Sequence, residues 1–598
     1  VTIESAGRSV QPADDASTVP TTLIELLTAR AAQDADVVGF QFLDDTGEPE
    51  STLTYGQLDA AARRIAARLS RTLSPGDRAL LLYAPGLDFL AGFYGCLYAG
   101  VIAVPVAPPQ PSKLQADLAR LASIMVSADT HVLLTSTTVA DLLAPALRLH
   151  ERLAELQVTA TDGIDEDHDH GFTAPTITED SIAYLQYSSG STGEPKGVVL
   201  THRNVLANNS LVSAAVGFTE DSVMVTWLPT YHDMGLLALV TQPLYNNFLA
   251  VGLAPFTFVK RPARWIEALA RFQATITVAP NFAYELATRR VPADLAATWD
   301  LSRLRTVLCG AEPIRVETMA AFAEHFQVAG LDPDSLFPCY GLAEATLFVS
   351  GGPVERGYTT IDVDPDALAD DSVKLSPGGR TLVGCGTPSD GFDLVLVDPA
   401  TGTPVQAGRV GEICLRGASI GSGYWSAEDL SAQTFGTVVP GHGTGFLRTG
   451  DLGFVHADQL YIVGRKKDLI VVDGYNHYPT DLEASAMRSH AAIRTDRCVA
   501  FQTMDTGKPQ LIIVAELDRD WLSGFAEDTE GPVDKKSPPP HLDQVARAIR
   551  GRIGGDHGLR VDDIVLVAAG SVLLTSSGKV RRKAMQQRYR EDSLDRIG

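Results

Sequence analysis

The sequence predicts an α/β protein of two unequal domains. The larger, N-terminal one is built of layered αβ subdomains plus a small β-rich subdomain, and the smaller, C-terminal one is α+β. Three observations carry this. Helix-period and strand-period apolar patterns alternate to about residue 350. After Gly384 the pattern changes to short strands separated by turns. At Gly464-Arg465-Lys466-Lys467-Asp468 the composition shifts again, and the remaining stretch of chain has the size of a domain. The boundaries are therefore 1–464 and 465–598. A chain of 598 residues exceeds what one ordinary core accommodates.

The elements follow in order. Gln57 to Ser70 sets Leu58, Ala61, Ala62, Ile65 and Leu69 at helical spacing and keeps Arg63, Arg64 and Arg68 elsewhere. Leu80 to Val106 carries one charge, Asp88, and is long enough to span a bilayer. Pro85, Gly86 and Asp88 interrupt it early, Gly100 and Pro105 late, and a charge at mid-span costs about 3 kcal/mol. It reads instead as a strand (79–83), a buried helix (88–99) and a strand (101–106), a βαβ unit at the centre of an α/β domain. Thr275 to Ala279 and Thr306 to Leu308 are β-branched runs that end at Pro280 and Gly310, so they read as buried strands. Functional residues gather just past the carboxyl ends of such strands. Leu394–Val397, Gly411–Arg416 and Gln459–Val463 read as strands of the β-rich subdomain. Glu527 to His541 is polar and Pro-rich, a loop.

A composition of 45% hydrophobic and 20% charged residues is that of a globular protein. A net charge of −24 argues against a nucleic-acid partner and against adhesion to anionic lipid. The first residues are polar and acidic, without a basic segment or an apolar core, so no secretory signal is expected. Six scattered cysteines without CxxC or metal spacing fit a reducing, cytoplasmic setting.

Tyr187 to Gly197, YSSGSTGEPKG, lies between two apolar runs and reads as strand, loop, strand. Its glycines let backbone approach an anion. Ser189, Ser191 and Thr192 offer hydroxyl donors, and Lys196 a point charge. Pro195 stands where a Walker A loop needs glycine, so the spacing is a different one. Further along come Leu228-Pro229-Thr230-Tyr231-His232-Asp233-Met234-Gly235-Leu236, Gly310-Ala311-Glu312-Pro313, Tyr340-Gly341-Leu342-Ala343-Glu344-Ala345-Thr346, Arg448-Thr449-Gly450-Asp451, Gly464 to Asp468, and Ser576-Ser577-Gly578-Lys579-Val580-Arg581-Arg582.

In this order the motifs resemble those of the acyl-, aryl- and aminoacyl-adenylating superfamily, over nearly the whole chain. The resemblance implies an enzyme that joins a carboxylate to the α-phosphate of ATP, with Mg²⁺ as cofactor. Such catalysis is mostly positioning and charge neutralisation. It implies that Ser189, Gly190, Ser191, Thr192, Gly193 and Lys196 hold the β- and γ-phosphates. Glu344, with Thr192, would ligate Mg²⁺. Tyr340 and Gly341 would meet adenine, with Gly310, Ala311, Glu312 and Pro313 on its other side. Asp451 would accept from the ribose hydroxyls. Arg465 would donate to ribose or phosphate, and Lys579 would neutralise charge where carboxylate and α-phosphate meet. His232, Asp233, Met234 and Gly235 would border the acyl pocket, with His232 as its gate. Taken alone, His232 is equally readable as a packed histidine and Tyr340 as a core aromatic. The C-terminal domain of this superfamily is mobile and swings about a hinge, here Lys467.

About forty residues separate Glu344 from Gly384-Cys385-Gly386-Thr387-Pro388, and the extra material is roughly 354–379. That insertion, with YLQYSSGSTG, LPTYHDMGL and Asp473-Gly474-Tyr475-Asn476-His477-Tyr478-Pro479, resembles the fatty acyl-AMP ligases. In that branch it disfavours the pose that uses coenzyme A. The partners so implied are a long-chain fatty acid, ATP, and the phosphopantetheine thiol of an acyl carrier protein or carrier domain of a polyketide or peptide synthase. Two alternatives stay open: a long-chain acyl-CoA synthetase, and an amino-acid adenylation enzyme in which Asp233 pairs with an α-amine. The apolar neighbours Met234, Leu236, Leu237 and Leu239 favour an alkyl chain.

Overall fold

Alternating helices and strands build two sheets with a helical layer between them. The computed structural model describes residues 20–164, 173–188, 195–472, 475–504, 508–524, 540–574 and 580–597. One sheet has six strands, in the order Gln157–Ala160, Val132–Thr135, Arg78–Leu81, Ile102–Pro105, Ile182–Ser188 and Lys196–Thr201. All its pairings are parallel except the last, an antiparallel hairpin. The other has nine strands. Its central ones, Val223–Thr226, Ile276–Pro280, Thr306–Gly310 and Leu336–Gly341, are parallel neighbours. Helices Tyr55–Leu69 and Asp88–Ala99 share one core with side chains of both sheets, among them Phe40, Ala250, Leu81 and Ala183.

That sandwiched position explains the membrane-like run. Asp88–Ala99 is apolar all round because sheets cover it on both sides. It lies between parallel strands in the register Leu80↔Val104 and ends at Gly100, whose φ of +68° closes the helix. No helix among the described residues is long and apolar enough to cross a membrane. The preceding helix starts at Tyr55, two residues before the expected Gln57, because Thr54 and Gln57 form a capping box.

The β-rich subdomain is a five-stranded sheet of Asp393–Val397, Gly411–Arg416, Gly443–His456, Thr437–Val439 and Gln459–Arg465. Its longest member, Gly443–His456, was not expected. The insertion forms a hairpin, Thr360–Val363 with Arg380–Val383, around a short helix, Pro365–Ala369. Val363, Leu368 and Leu382 bury against Tyr461, Val463 and Tyr478.

Past Lys466–Asp468, a three-stranded sheet (Ile493–Thr503, Gln510–Leu517, Asp563–Val567) packs with helices Pro479–Ser489 and Pro540–His557. This unit touches the insertion and the strand that follows it through the buried Tyr478 and through polar contacts. The Asn476 amide donates to both oxygens of Asp371 at 3.1 and 3.2 Å, and Arg380 pairs with Asp481 at 2.9 Å. The polar loop expected near Glu527 to His541 falls mostly outside the described residues.

Candidate active site

The expected residues converge because several strands end at one place. The hairpin closes at Ser188↔Lys196, and Lys196 opens its second strand facing a cavity of ≈ 1240 Å³. Tyr340 and Gly341 end the strand Leu336–Gly341, and Glu344 lies in the single turn Ala343–Ala345 beyond it. All three border the same cavity, as do Ala311, Arg465 and Lys467. Ser189, Gly190, Ser191, Thr192 and Gly193 lie outside the described residues.

Tyr340 combines the two readings the sequence left open. Its ring belongs to a buried cluster with Leu342, Ile413 and Leu447, and it also walls the cavity. Its hydroxyl donates to Asp451 Oδ2 at 2.7 Å. Arg465 Nε pairs with Asp451 Oδ1 at 2.8 Å. Asp451 is thus oriented by a buried phenol and a guanidinium, and a carboxylate has lone pairs left for further donors. The neighbouring Asp451 charge raises the Arg465 pKa and keeps its guanidinium charged, against the opposing effect of burial.

The 310–313 stretch divides its tasks. Ala311, with a φ of +68°, borders the cavity. Gly310 must lack a side chain, since a Cβ would come 2.9 Å from Cys339 Sγ. Glu312 Oε1 accepts from the Phe282 N–H at 2.6 Å, at the start of helix Asn281–Arg290. Pro313 comes next, in the connection to helix Val316–Phe326.

In the 232–235 stretch, Asp233 and Met234 line the cavity. His232 caps the helix Asp233–Leu236, with its ring 5.2 Å from that of Tyr231. Gly235 serves close packing: a Cβ there would come 2.2 Å from the Pro229 carbonyl oxygen. The chain continues into a π-helical turn, Leu237–Thr241, a geometry frequent at functional sites. Leu237 and Ala238 join Val212, Phe218, Val278 and Phe348 in an apolar arm of the cavity.

The C-terminal unit closes the other side. Lys579 lies outside the described residues, but Val580, Arg581, Arg582 and Lys583, just after it in the chain, line the cavity. Arg582 is held by Glu483 at 2.7 Å and Asp468 at 3.3 Å. Lys467 sits in the turn Lys466–Asp468, where burial foremost, and then Arg465, lowers its pKa.

Two features had little warning in the sequence. Glu412, 3% exposed, pairs with Arg448 and lies 3.5 Å from Lys466, which fixes the strand that carries Asp451. Tyr424 donates its hydroxyl to Glu344 Oε1 at 2.7 Å. Its one sequence signal is the string Gly421-Ser422-Gly423-Tyr424-Trp425, an aromatic pair set in glycines where no strand pattern calls for it.

A family model described as "AMP-binding enzyme" matches residues 27–425. The chain belongs to that family. It is 37% identical over 582 residues to the medium-chain-fatty-acid–[acyl-carrier-protein] ligase JamA of Moorena producens, covering 96% of each chain. It is 36% identical over 592 residues to the long-chain-fatty-acid–AMP ligase FadD32 of Mycolicibacterium smegmatis, covering 94% of this chain and 92% of that one. The structure of a fatty acyl-adenylate ligase from Legionella pneumophila, in complex with acyl adenylate and pyrophosphate, superposes with a TM-score of 0.73 at 32% identity, over 97% of both chains. In this AMP-binding enzyme apolar and polar residues thus line one cavity.

Proposed function

We propose that this AMP-binding enzyme activates a long-chain fatty acid with ATP and passes the acyl group to the phosphopantetheine thiol of an acyl carrier protein, or of a carrier domain of a polyketide or peptide synthase. The observation that carries this is the one cavity lined both by apolar side chains (Val212, Phe218, Leu237, Val278) and by Lys196, Glu344, Tyr340 and Arg465. A carboxylate oxygen attacks the α-phosphorus, the α–β bridging bond breaks, and pyrophosphate leaves. Thiol attack on the acyl carbon then releases AMP. Lys196 faces the phosphates, Asp451 and Arg465 hold the ribose end, and Tyr340 walls the adenine. Lys579 neutralises the reacting oxygens.

Glu344 suits Mg²⁺: its carboxylate faces the cavity, and among the described residues no three carboxylate, histidine or cysteine side chains converge to hold a metal alone. A cation there would take its other ligands from phosphate oxygens and water, as Mg²⁺ does, and would supply charge neutralisation. We place the domain boundary between residues 464 and 465 and the hinge at Lys467. The contact from Asp371 in the insertion to Asn476, with that from the adjoining Arg380 to Asp481, supports its holding the C-terminal unit in the described pose. The six free cysteines support a cytoplasmic location.

The test is formation of acyl-AMP from ATP, Mg²⁺ and octanoate, dodecanoate or hexadecanoate, with amino acids as controls. Acyl-AMP from the longer acids is expected. Adenylation of amino acids alone would overturn the reading.

A further inference from the structure

Between Lys196 and Glu344 stands Tyr424, and it touches both. Its hydroxyl donates to Glu344 Oε1 at 2.7 Å, and Lys196 Nζ lies 5.6 Å from the centroid of its ring. One side chain thus meets the cation of the phosphate-loop hairpin and the carboxylate of the turn after Gly341.

The backbone around Tyr424 is tied to the same two places. Toward the hairpin, the Trp425 N–H donates to Gly197 O at 2.8 Å, the Val199 N–H to Gly423 O at 2.9 Å, and the Ser422 N–H to Val199 O at 3.0 Å. Toward the turn, the Gly421 N–H donates to Glu344 O at 2.9 Å, and Thr346 Oγ1 donates to Ser419 O at 2.7 Å. Thr346 has a φ of +70°, a conformation that costs a β-branched residue and persists only where neighbours hold it. The Tyr424 ring packs edge-on against Phe435, with centroids 5.2 Å apart, and Ser431 Oγ accepts from its N–H at 2.8 Å. The phenol is therefore fixed from both sides.

A lysine and a carboxylate on neighbouring walls of a cleft tend to close into an ion pair, which cancels both charges before a ligand arrives. No Lys196–Glu344 ion pair forms among the described residues. The phenol hydroxyl takes the carboxylate, and the aromatic face attracts the ammonium without neutralising it. A hydrogen bond to one carboxylate oxygen also orients the other toward a hard cation.

We propose that Tyr424 is a positioning residue that keeps Lys196 and Glu344 apart and pre-aimed, its hydroxyl orienting Glu344 for the divalent cation and its ring presenting Lys196 to the phosphates. This rests on the ATP and Mg²⁺ reading of the site. Two substitutions separate the two halves. Tyr424→Phe keeps the ring and removes the donor; Tyr424→Leu removes both.

The readout is calorimetric ATP binding, once with Mg²⁺ and once with chelator. Tyr424→Phe should bind ATP as the wild type does in chelator and about tenfold more weakly in Mg²⁺, the low end for losing a partner of a metal ligand. Tyr424→Leu should lose affinity in chelator as well, by about threefold or more, as expected for a lost cation–π contact. In a Glu344→Gln background, Tyr424→Phe should add less than about twofold, since the two act as one unit. A Phe variant that matches the wild type in Mg²⁺, or loses equally with and without it, overturns the proposal. If the wild type itself gains nothing from Mg²⁺, the metal reading of Glu344 fails, and this inference with it.

Discussion

The two walls of the cavity are built differently. On the N-terminal side, two carboxylates are each held by a tyrosine hydroxyl at 2.7 Å: Glu344, which lines the cavity, by Tyr424, and the buried Asp451 by Tyr340. Those donors sit on strands and on segments bonded along strands. The C-terminal unit meets the rest through the buried Tyr478 and through ion pairs and amide contacts whose partners are partly exposed: Asp371 to Asn476, Arg380 to Asp481, and Arg315 to Asp496. Such pairs contribute roughly 0–1 kcal/mol each. The two carboxylates are therefore preorganised, and the proposed swing of the C-terminal unit would break the weaker polar contacts.

The sharpest way to break this contrast is to remove the charge proposed for Lys579. Lys579→Ala should lower acyl-AMP formation by about 10²–10³-fold, the scale for a group that stabilises developing charge. ATP affinity should stay near wild type, because the fixed wall makes those contacts. Equal loss in both measurements would place Lys579 in ground-state binding instead.

Weakening the tether is the next largest change. Asp371→Ala combined with Arg380→Ala removes the polar contacts that the insertion and the residue after it make to Asn476 and Asp481. Coenzyme A ligation should rise several-fold, as the loss of about 1 kcal/mol implies, while the acyl-AMP rate falls. No rise in a folded variant would count against the tether.

The smallest effect is one of pH. Glu285, on helix Asn281–Arg290 of the N-terminal domain, faces Asp496 of the C-terminal unit, with Arg315, Arg289 and Arg497 around the pair. Burial first and Asp496 second push the Glu285 carboxyl up from 4.5 to about 7, so the described pose holds its proton more tightly than a separated one. That contribution is complete below the usual glutamate value and is lost as pH rises through about 7. A distance probe between the domains should report more of the described pose at the acid end of this window. Glu285→Gln should flatten the response, and an unchanged pH profile in that variant would remove Glu285 from the account.

What the sequence made legible was local. The helix Asp88–Ala99 could be bounded because Pro85, Gly86 and Gly100 punctuate an otherwise apolar run. Lys196, Tyr340, Glu344 and Arg465 could be named because motif order points to them, and the cavity collects all four. The contacts between them were hidden. Tyr424 and Glu344 are 80 positions apart, and Tyr340 and Asp451 are 111 apart, so their meeting depends on sheet register rather than on any spacing in the chain. The strand Gly443–His456 escaped notice for a different reason. Gly443, Gly445 and Gly450 all take positive φ within it, and such glycines read as turns.

Whether the acyl-adenylate goes to a carrier thiol rather than to coenzyme A is decided by a partition experiment. Preformed enzyme-bound acyl-AMP is offered holo acyl carrier protein and coenzyme A together, and the two thioesters are separated and counted. Acyl carrier protein thioester with little acyl-CoA is the expected result. Acyl-CoA as the main product would contradict it.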